Sequence, residues 1–182
     1  MVKCLLIRRV KFVGKNMVIE NDDRKIKFCD NILQIMQKYI QVSPKSTEAG
    51  GILIGRENCG NANLIIEFIT EPMVSDKRSR SRFLRKDTGH IDFFEKLYKE
   101  NAGVYGYMGE WHTHPENIPH YSLIDFNNWR KIGKEMRSRT QYHIIAGIQQ
   151  VGIWEYNTTQ NKITQLGSID WKRILKENET SI

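Results

Sequence analysis

Residues 109–125 read GEWHTHPENIPHYSLID, the end of a strand that runs through a proline-punctuated loop into the start of a helix. On an extended strand, side chains at i and i+2 share a face, so His112 and His114 stand side by side. Pro115 cannot continue the pairing ladder and stops it just past the second imidazole. Ser122 fits a helix N-cap, and Asp125, three residues on in the first turn, directs a carboxylate back toward the loop. Two histidines and one carboxylate provide three protein ligands and leave a fourth tetrahedral position for water, the pattern of catalytic rather than structural zinc. Each part has a plainer reading. A Ser-x-x-Asp pair is a frequent capping box, and single histidines usually serve in ordinary hydrogen bonds, as is expected for His90, His120 and His143. The conjunction points to a metal.

Outward from this stretch, VYGYMGEWHTHP reads as one strand, and Phe126, Trp129, Ile132, Gly133 and Met136 give the apolar face of a helix. YHIIAGI, GIWEY and KITQL return to strands before a short helix with Trp171, Ile174 and Leu175. Upstream, GGILIGR and NLIIEFI form a buried hairpin around Cys59 and Gly60. Ile91, Phe94, Leu97 and Tyr98 mark a helix capped by Asp87 or Thr88 and stopped by Asn101 and Gly103. Near the N-terminus, LLIRRVKF, NMVIE and IKF are strands. Ile32, Leu33, Met36, Tyr39 and Ile40 then predict a helix with Asp30 as its N-cap, ended by Ser43-Pro44. Strands and helices alternate irregularly, which gives an α/β (α+β) class around a mixed, mostly antiparallel sheet.

Composition agrees. The 182 residues are 40% hydrophobic and 27% charged, as expected for one globular domain spanning residues 1–182. That excludes a disordered tail, a collagen-like fibre and a disulfide-stapled mini-protein. No apolar run approaches the ~20 residues of a membrane helix, and the N-terminus lacks a signal-peptide apolar region. Cys4, Cys29 and Cys59 form no Cys-x-x-Cys, which fits reduced thiols in a cytoplasm. The net charge of +7 is concentrated in Lys77, Arg78, Arg80, Arg82, Arg85 and Lys86, within ten residues that contain no acid. The plain reading of this stretch is a solvated loop.

A catalytic zinc also needs a group to move the proton of its water. Glu48, Glu110 and Glu116 are the candidates. Glu110 lies two residues before His112 on the same strand face, whereas Glu48 precedes Gly50-Gly51, where missing side chains let another strand come close. The residues alone do not rank Glu48 above Glu110.

Glu48-Ala49-Gly50-Gly51-Ile52-Leu53-Ile54-Gly55, followed by His112-Thr113-His114-Pro115, Ser122 and Asp125, resembles the JAMM (JAB1/MPN/Mov34) metalloprotease family. That resemblance covers roughly residues 30–155 and implies a curved, mostly antiparallel sheet flanked by helices. It implies His112, His114 and Asp125 as ligands of one zinc per chain, with a catalytic water. Glu48 corresponds to the acid/base and Ser122 to the donor for the oxyanion, while Glu110 becomes a supporting acid. The reaction implied is hydrolysis of a peptide or isopeptide bond after the C-terminal tail of a conjugated protein. Gly109-Glu110-Trp111, Trp129 and Thr70-Glu71-Pro72, with the Arg/Ser-rich link to Phe83 and Asp87, are further similar to bacterial JAMM isopeptidases of antiphage systems, chiefly type II CBASS. Those act beside E1/E2-like conjugation proteins. Their substrate is a cyclase-type nucleotidyltransferase or, in a related operon type, a ubiquitin-like modifier.

Other chemistries fit less well. A zinc deaminase needs a Cys-x-x-Cys pair and a helical zinc protease needs His-Glu-x-x-His; the chain has neither. The basic 77–86 stretch could instead mark a nucleic-acid-binding module, but aromatic interleaving stops at Phe83. Within the protease reading, the stretch is expected to form a flap in which Arg78, Arg80 and Arg82 grip the substrate tail or an acidic partner surface.

Overall fold

A computed structural model of the protein describes residues 9–13, 16–20, 24–61, 63–136 and 140–174. Its strands are β1 (Arg9–Val13), β2 (Asn16–Glu20), β3 (Lys25–Phe28), β4 (Gly50–Glu57), β5 (Leu64–Ile69), β6 (Lys77–Ser79), β7 (Arg82–Leu84), β8 (Gly106–Thr113), β9 (Thr140–Ala146), β10 (Gln150–Asn157) and β11 (Lys162–Asp170). The helices are α1 (Asp30–Gln37), α2 (Gly89–Glu100) and α3 (Leu123–Met136). Nine strands form one sheet in the order β1-β2-β3-β5-β4-β8-β9-β10-β11, while β6 and β7 form a separate hairpin. Pairing is antiparallel except for β3 with β5 and β8 with β9.

The centre of the sheet holds the expected buried strands. β4 is buried from Gly50 to Gly55, and Ile52, Leu53 and Ile54 are all inaccessible to solvent. The sheet curls enough to bring its two ends together: a Cβ on Gly167 of β11 would lie 2.8 Å from Val10 Cγ2 of β1. Arg24 reaches from the β2–β3 connection to pair with Glu155 on β10. Met17, Ile19, Phe28, Ile153, Leu166 and Trp171 therefore share one core with α1, and the curvature follows from the twist that every long sheet carries.

Two local expectations change. Asp30 is the first helical residue rather than the N-cap; Cys29 occupies the cap without a side-chain bond, and Asp30 Oδ1 accepts from the Asn31 amide. The helix also ends at Gln37, so Tyr39 and Ile40 lie beyond it and Ser43-Pro44 does not terminate it. Those two side chains still pack on the core, which is why their spacing looks helical. Of the two expected caps of α2, Thr88 holds the N-cap position without a side-chain bond, while Asp87 Oδ1 accepts from the Gly89 amide at 2.9 Å. Trp171 and Ile174 are buried in a helical turn at the end of the sheet. The expectations for residues 5–8, for Leu175 and for the Met136 side chain fall outside the described residues.

The basic stretch is a β-hairpin, not an irregular loop. Its two flanks are bolted to the sheet by a buried relay. Thr70 Oγ1 accepts from the Ile52 amide at 3.0 Å and meets His90 Nδ1 at 2.5 Å, and His90 Nε2 meets Asp76 Oδ2 at 2.9 Å. Asp76 also accepts from the amides of Met73, Lys86 and Asp87. An ionised carboxylate can only accept, so His90 Nε2 carries a proton and donates it to Asp76.

Candidate metal centre and its cleft

His112 occupies the end of β8, and His114 follows the last paired residue, its amide still donating to Ala146 O at 3.0 Å. The ladder stops there, with Pro115 next in the chain. Ser122 and Asp125 open α3 as a capping box: the Ser122 amide donates to Asp125 Oδ2 at 2.6 Å and the Asp125 amide donates to Ser122 Oγ at 3.2 Å. The helix is held in place by Trp129, which stacks on buried His143 of β9 with ring centroids 4.1 Å apart and 8° between planes. Burial pushes His143 well below the usual imidazole range, so it packs as a neutral ring.

These elements bring three donor atoms together. His112 Nε2 lies 3.0 Å from His114 Nε2 and 3.3 Å from Asp125 Oδ1, and His114 Nε2 lies 3.5 Å from Asp125 Oδ2. Ligands at about 2.0–2.1 Å from a tetrahedral zinc would be separated by about 3.3 Å, and the contacts between these side chains are of that order, with Asp125 turning Oδ1 toward His112 and Oδ2 toward His114. Two imidazole nitrogens aimed at each other gain little as a hydrogen-bonded pair, whereas both can donate lone pairs to one cation. The donor set fits zinc on both counts. In the metal-free protein, burial alone would raise the Asp125 carboxyl, but His112 and His114 overcome it and hold the group far below the carboxylate range. Burial likewise disfavours charge on His114, yet Asp125 raises it.

The triangle opens into a cleft of about 230 Å³ also lined by Glu48, Arg82, Phe83, Glu110, Ser122 and Trp129. Glu48 is 5% exposed, and its carboxyl is raised by burial, with His112 and His114 pulling the other way. Continuing the β4–β8 register, in which Gly50 opposes His112, sets Glu48 across from His114. Gly50 and Gly51 do allow a close approach, but of this chain's own groups. A Cβ on Gly50 would lie 2.5 Å from the Phe83 ring, and one on Gly51 would lie 2.0 Å from Thr70 O. Glu110 also faces the cleft, where Arg85 Nε binds it at 2.9 Å. Glu116 is exposed on the outer loop, its Oε2 4.0 Å from His114 Nδ1.

The three cations singled out for a substrate grip lie apart. Arg82 lines the cleft. Arg78 bonds Glu48 O and Thr47 O, and Arg80 bonds Ser43 O and Pro44 O. Sequence reasoning missed the Arg85–Glu110 pair and the Trp129–His143 stack. The first pairs Arg85, just beyond the end of β7, with Glu110 of β8, twenty-five residues on. The second joins elements with no local link and left no sequence signal.

A curved mixed sheet carrying a His-His-Asp donor set beside a buried glutamate defines an α/β protein with a candidate metal centre. The chain belongs to the family described as prokaryotic homologs of the JAB domain, which matches residues 36–159. It is 36% identical over 111 residues to a CD-NTase/cGAS isopeptidase of Escherichia coli, covering 61% of this chain and 70% of that protein. Proteins of the same description from Pseudomonas aeruginosa and Vibrio cholerae are 32% and 30% identical, covering 65% and 62% of this chain and 75% and 70% of theirs. The solution structure of a protein from Desulfitobacterium hafniense shares the fold at 16% identity and a TM-score of 0.51, over 76% of this chain and 87% of that one. No helix among the described residues is long and apolar enough to cross a membrane.

Proposed function

We propose that the protein is a zinc-dependent isopeptidase that cleaves the bond after the C-terminal tail of a conjugated cyclase-type nucleotidyltransferase, within a CBASS antiphage system. The observation that carries this reading is the convergence of His112, His114 and Asp125, whose donor groups meet at 3.0, 3.3 and 3.5 Å, at the foot of a cleft that Glu48 and Ser122 also line. The description borne by the three relatives, CD-NTase/cGAS isopeptidase, supports the substrate class. One zinc per chain and a catalytic water complete the site, and the free thiols of Cys29 and Cys59 fit a cytoplasmic place of action. E1/E2-like conjugation proteins would supply the substrate.

Zinc, when bound, supplies Lewis acidity toward a carbonyl oxygen and brings the pKa of a bound water to roughly 7. Glu48 takes the proton and returns it to the leaving amine; burial has already moved its carboxyl toward the range where both transfers are easy. Ser122 Oγ donates to Asp125 Oδ2 at 2.7 Å while accepting from the Asp125 amide. Its proton can therefore swing to a developing oxyanion without undoing the helix cap. Arg82 stands on the cleft wall, where it can meet an acidic group of the incoming tail. Glu110 is committed to Arg85 and supports the wall.

The test is incubation of the purified protein with two fusions, one bearing a cyclase tail and one a ubiquitin-like tail, with and without chelator. Cleavage of the cyclase fusion that chelator abolishes and zinc restores is the expected result. Preference for the ubiquitin-like fusion would move the substrate to the related operon type. Metal-free protein after non-chelating purification, or cleavage indifferent to chelator, would overturn the reading. Glu48→Gln should retain zinc and lose turnover.

A further inference from the structure

Glu48 enters the cleft from residues 43–48, a segment with no helix or strand of its own. Its carbonyls are nevertheless met by side chains, most of them from the basic hairpin. Arg78 Nε donates to Glu48 O at 2.7 Å, and its Nη2 donates to Thr47 O at 3.4 Å. Arg80 Nη1 donates to Ser43 O at 3.0 Å and to Pro44 O at 3.1 Å. Buried Gln41 links the two pieces, donating to Arg80 O at 2.8 Å and to Ser46 O at 3.3 Å. The Glu48 amide in turn donates to Ser79 O at 2.7 Å. The Arg78 guanidinium also lies over the Tyr39 ring, 5.8 Å from its centroid, and the Tyr39 hydroxyl donates to Glu71 at 2.8 Å. That aromatic face and two carbonyls hold the guanidinium against the Glu48 segment, and Arg78 does not line the cleft.

We infer that Arg78 is a positioning residue, whose two bonds to the Thr47 and Glu48 carbonyls fix the backbone from which the Glu48 carboxylate reaches the scissile bond. The inference rests on the reading of Glu48 as the proton carrier. It gives the basic hairpin a second office: its charge at Arg78 acts on turnover, through the base, rather than on attraction of the substrate. A planar guanidinium with several fixed donors suits two adjacent carbonyls, which an ammonium cannot match in geometry. Displacement of a reacting group by about 1 Å can cost as much as about a hundredfold in rate, so the loss should be visible in kcat.

The experiment measures kcat and KM at two salt concentrations for wild type, Arg78→Ala, Arg78→Lys and Glu48→Gln, on the fusion that wild type cleaves, with zinc content alongside. Arg78→Ala should lower kcat about 10- to 100-fold with KM and its salt dependence unchanged and zinc retained, and Arg78→Lys should recover part of that loss. A kcat equal to wild type in Arg78→Ala, or a change confined to a salt-sensitive KM, would overturn the inference. Should Arg78→Ala fail to fold, Arg78→Lys carries the same decision: reduced kcat at constant KM supports positioning, and unaltered kcat refutes it. Glu48→Gln separates the two levels. If it stays active, the reading of the base falls; if it is inactive while Arg78→Ala turns over normally, the positioning role alone falls.

Discussion

Two constellations of histidine, aspartate and hydroxyl lie in this protein, and they differ in how their polar atoms are satisfied. Around His90, every polar atom has its partner: the Thr70 hydroxyl, both ring nitrogens and both Asp76 oxygens are bonded, and the ring and carboxylate are completely buried. Its order, hydroxyl to imidazole to carboxylate, is that of a hydrolase triad, yet no substrate can reach Thr70, which is 4% exposed. Around His112, two ring nitrogens 3.0 Å apart face each other and the same carboxylate instead of having a separate partner each, and the group opens onto a cleft. Residue type alone does not separate a bolt from a reactive centre. Saturation and access do.

The contrast can be broken most forcefully at the metal. Replacing His112 or Asp125 by Ala leaves two protein ligands and should take zinc from about one per chain to none, with hydrolysis at background, as read by elemental analysis and the cleavage assay. The same truncation in the bolt should spare zinc and cost stability. Asp76→Ala leaves four donors without their acceptor, the buried His90 ring among them, and should lower unfolding free energy by about 3 kcal/mol in urea titration, while the folded fraction keeps its metal. Thr70→Val removes the acceptor of the Ile52 amide and the partner of His90 Nδ1, and should cost about 1–2 kcal/mol by the same measurement.

The smallest effect concerns acid. Burial alone would raise Asp76, but the Met73, Asp87 and Lys86 amides, with His90, hold it below its ordinary 3.8. A depressed folded value means that the stabilisation is complete above the unfolded value and is lost as pH falls through the folded one. The stability gap between wild type and Asp76→Asn should therefore be constant from neutrality down to about pH 5 and shrink below about pH 4. A gap that widened in acid would overturn this assignment to Asp76.

Much of this was legible in the chain. The spacing of His112, His114, Ser122 and Asp125 needs only the two-residue period of a strand and the first turn of a helix, both local geometry, so the donor set could be named from sequence. Runs such as Ile52–Ile54 and Ile144–Ala146 likewise mark central strands because a doubly covered strand is apolar throughout. The end of α1 was misread because Tyr39 and Ile40 keep helical spacing while packing from a turn. The choice between Glu48 and Glu110 was beyond local reasoning. The two acids differ through Arg85, which follows β7 and engages Glu110, and through the pairing of β4 with β8 across more than fifty residues.

Sequence by itself determined the chemistry available, since ligand types at fixed strand and helix offsets are set by backbone geometry. Tertiary structure alone decided which acid an arginine engages, which histidine is sealed away, and which arginines hold backbone instead of facing the cleft. Those outcomes depend on burial and on partners distant in the chain, and neither is encoded in the spacing of neighbours.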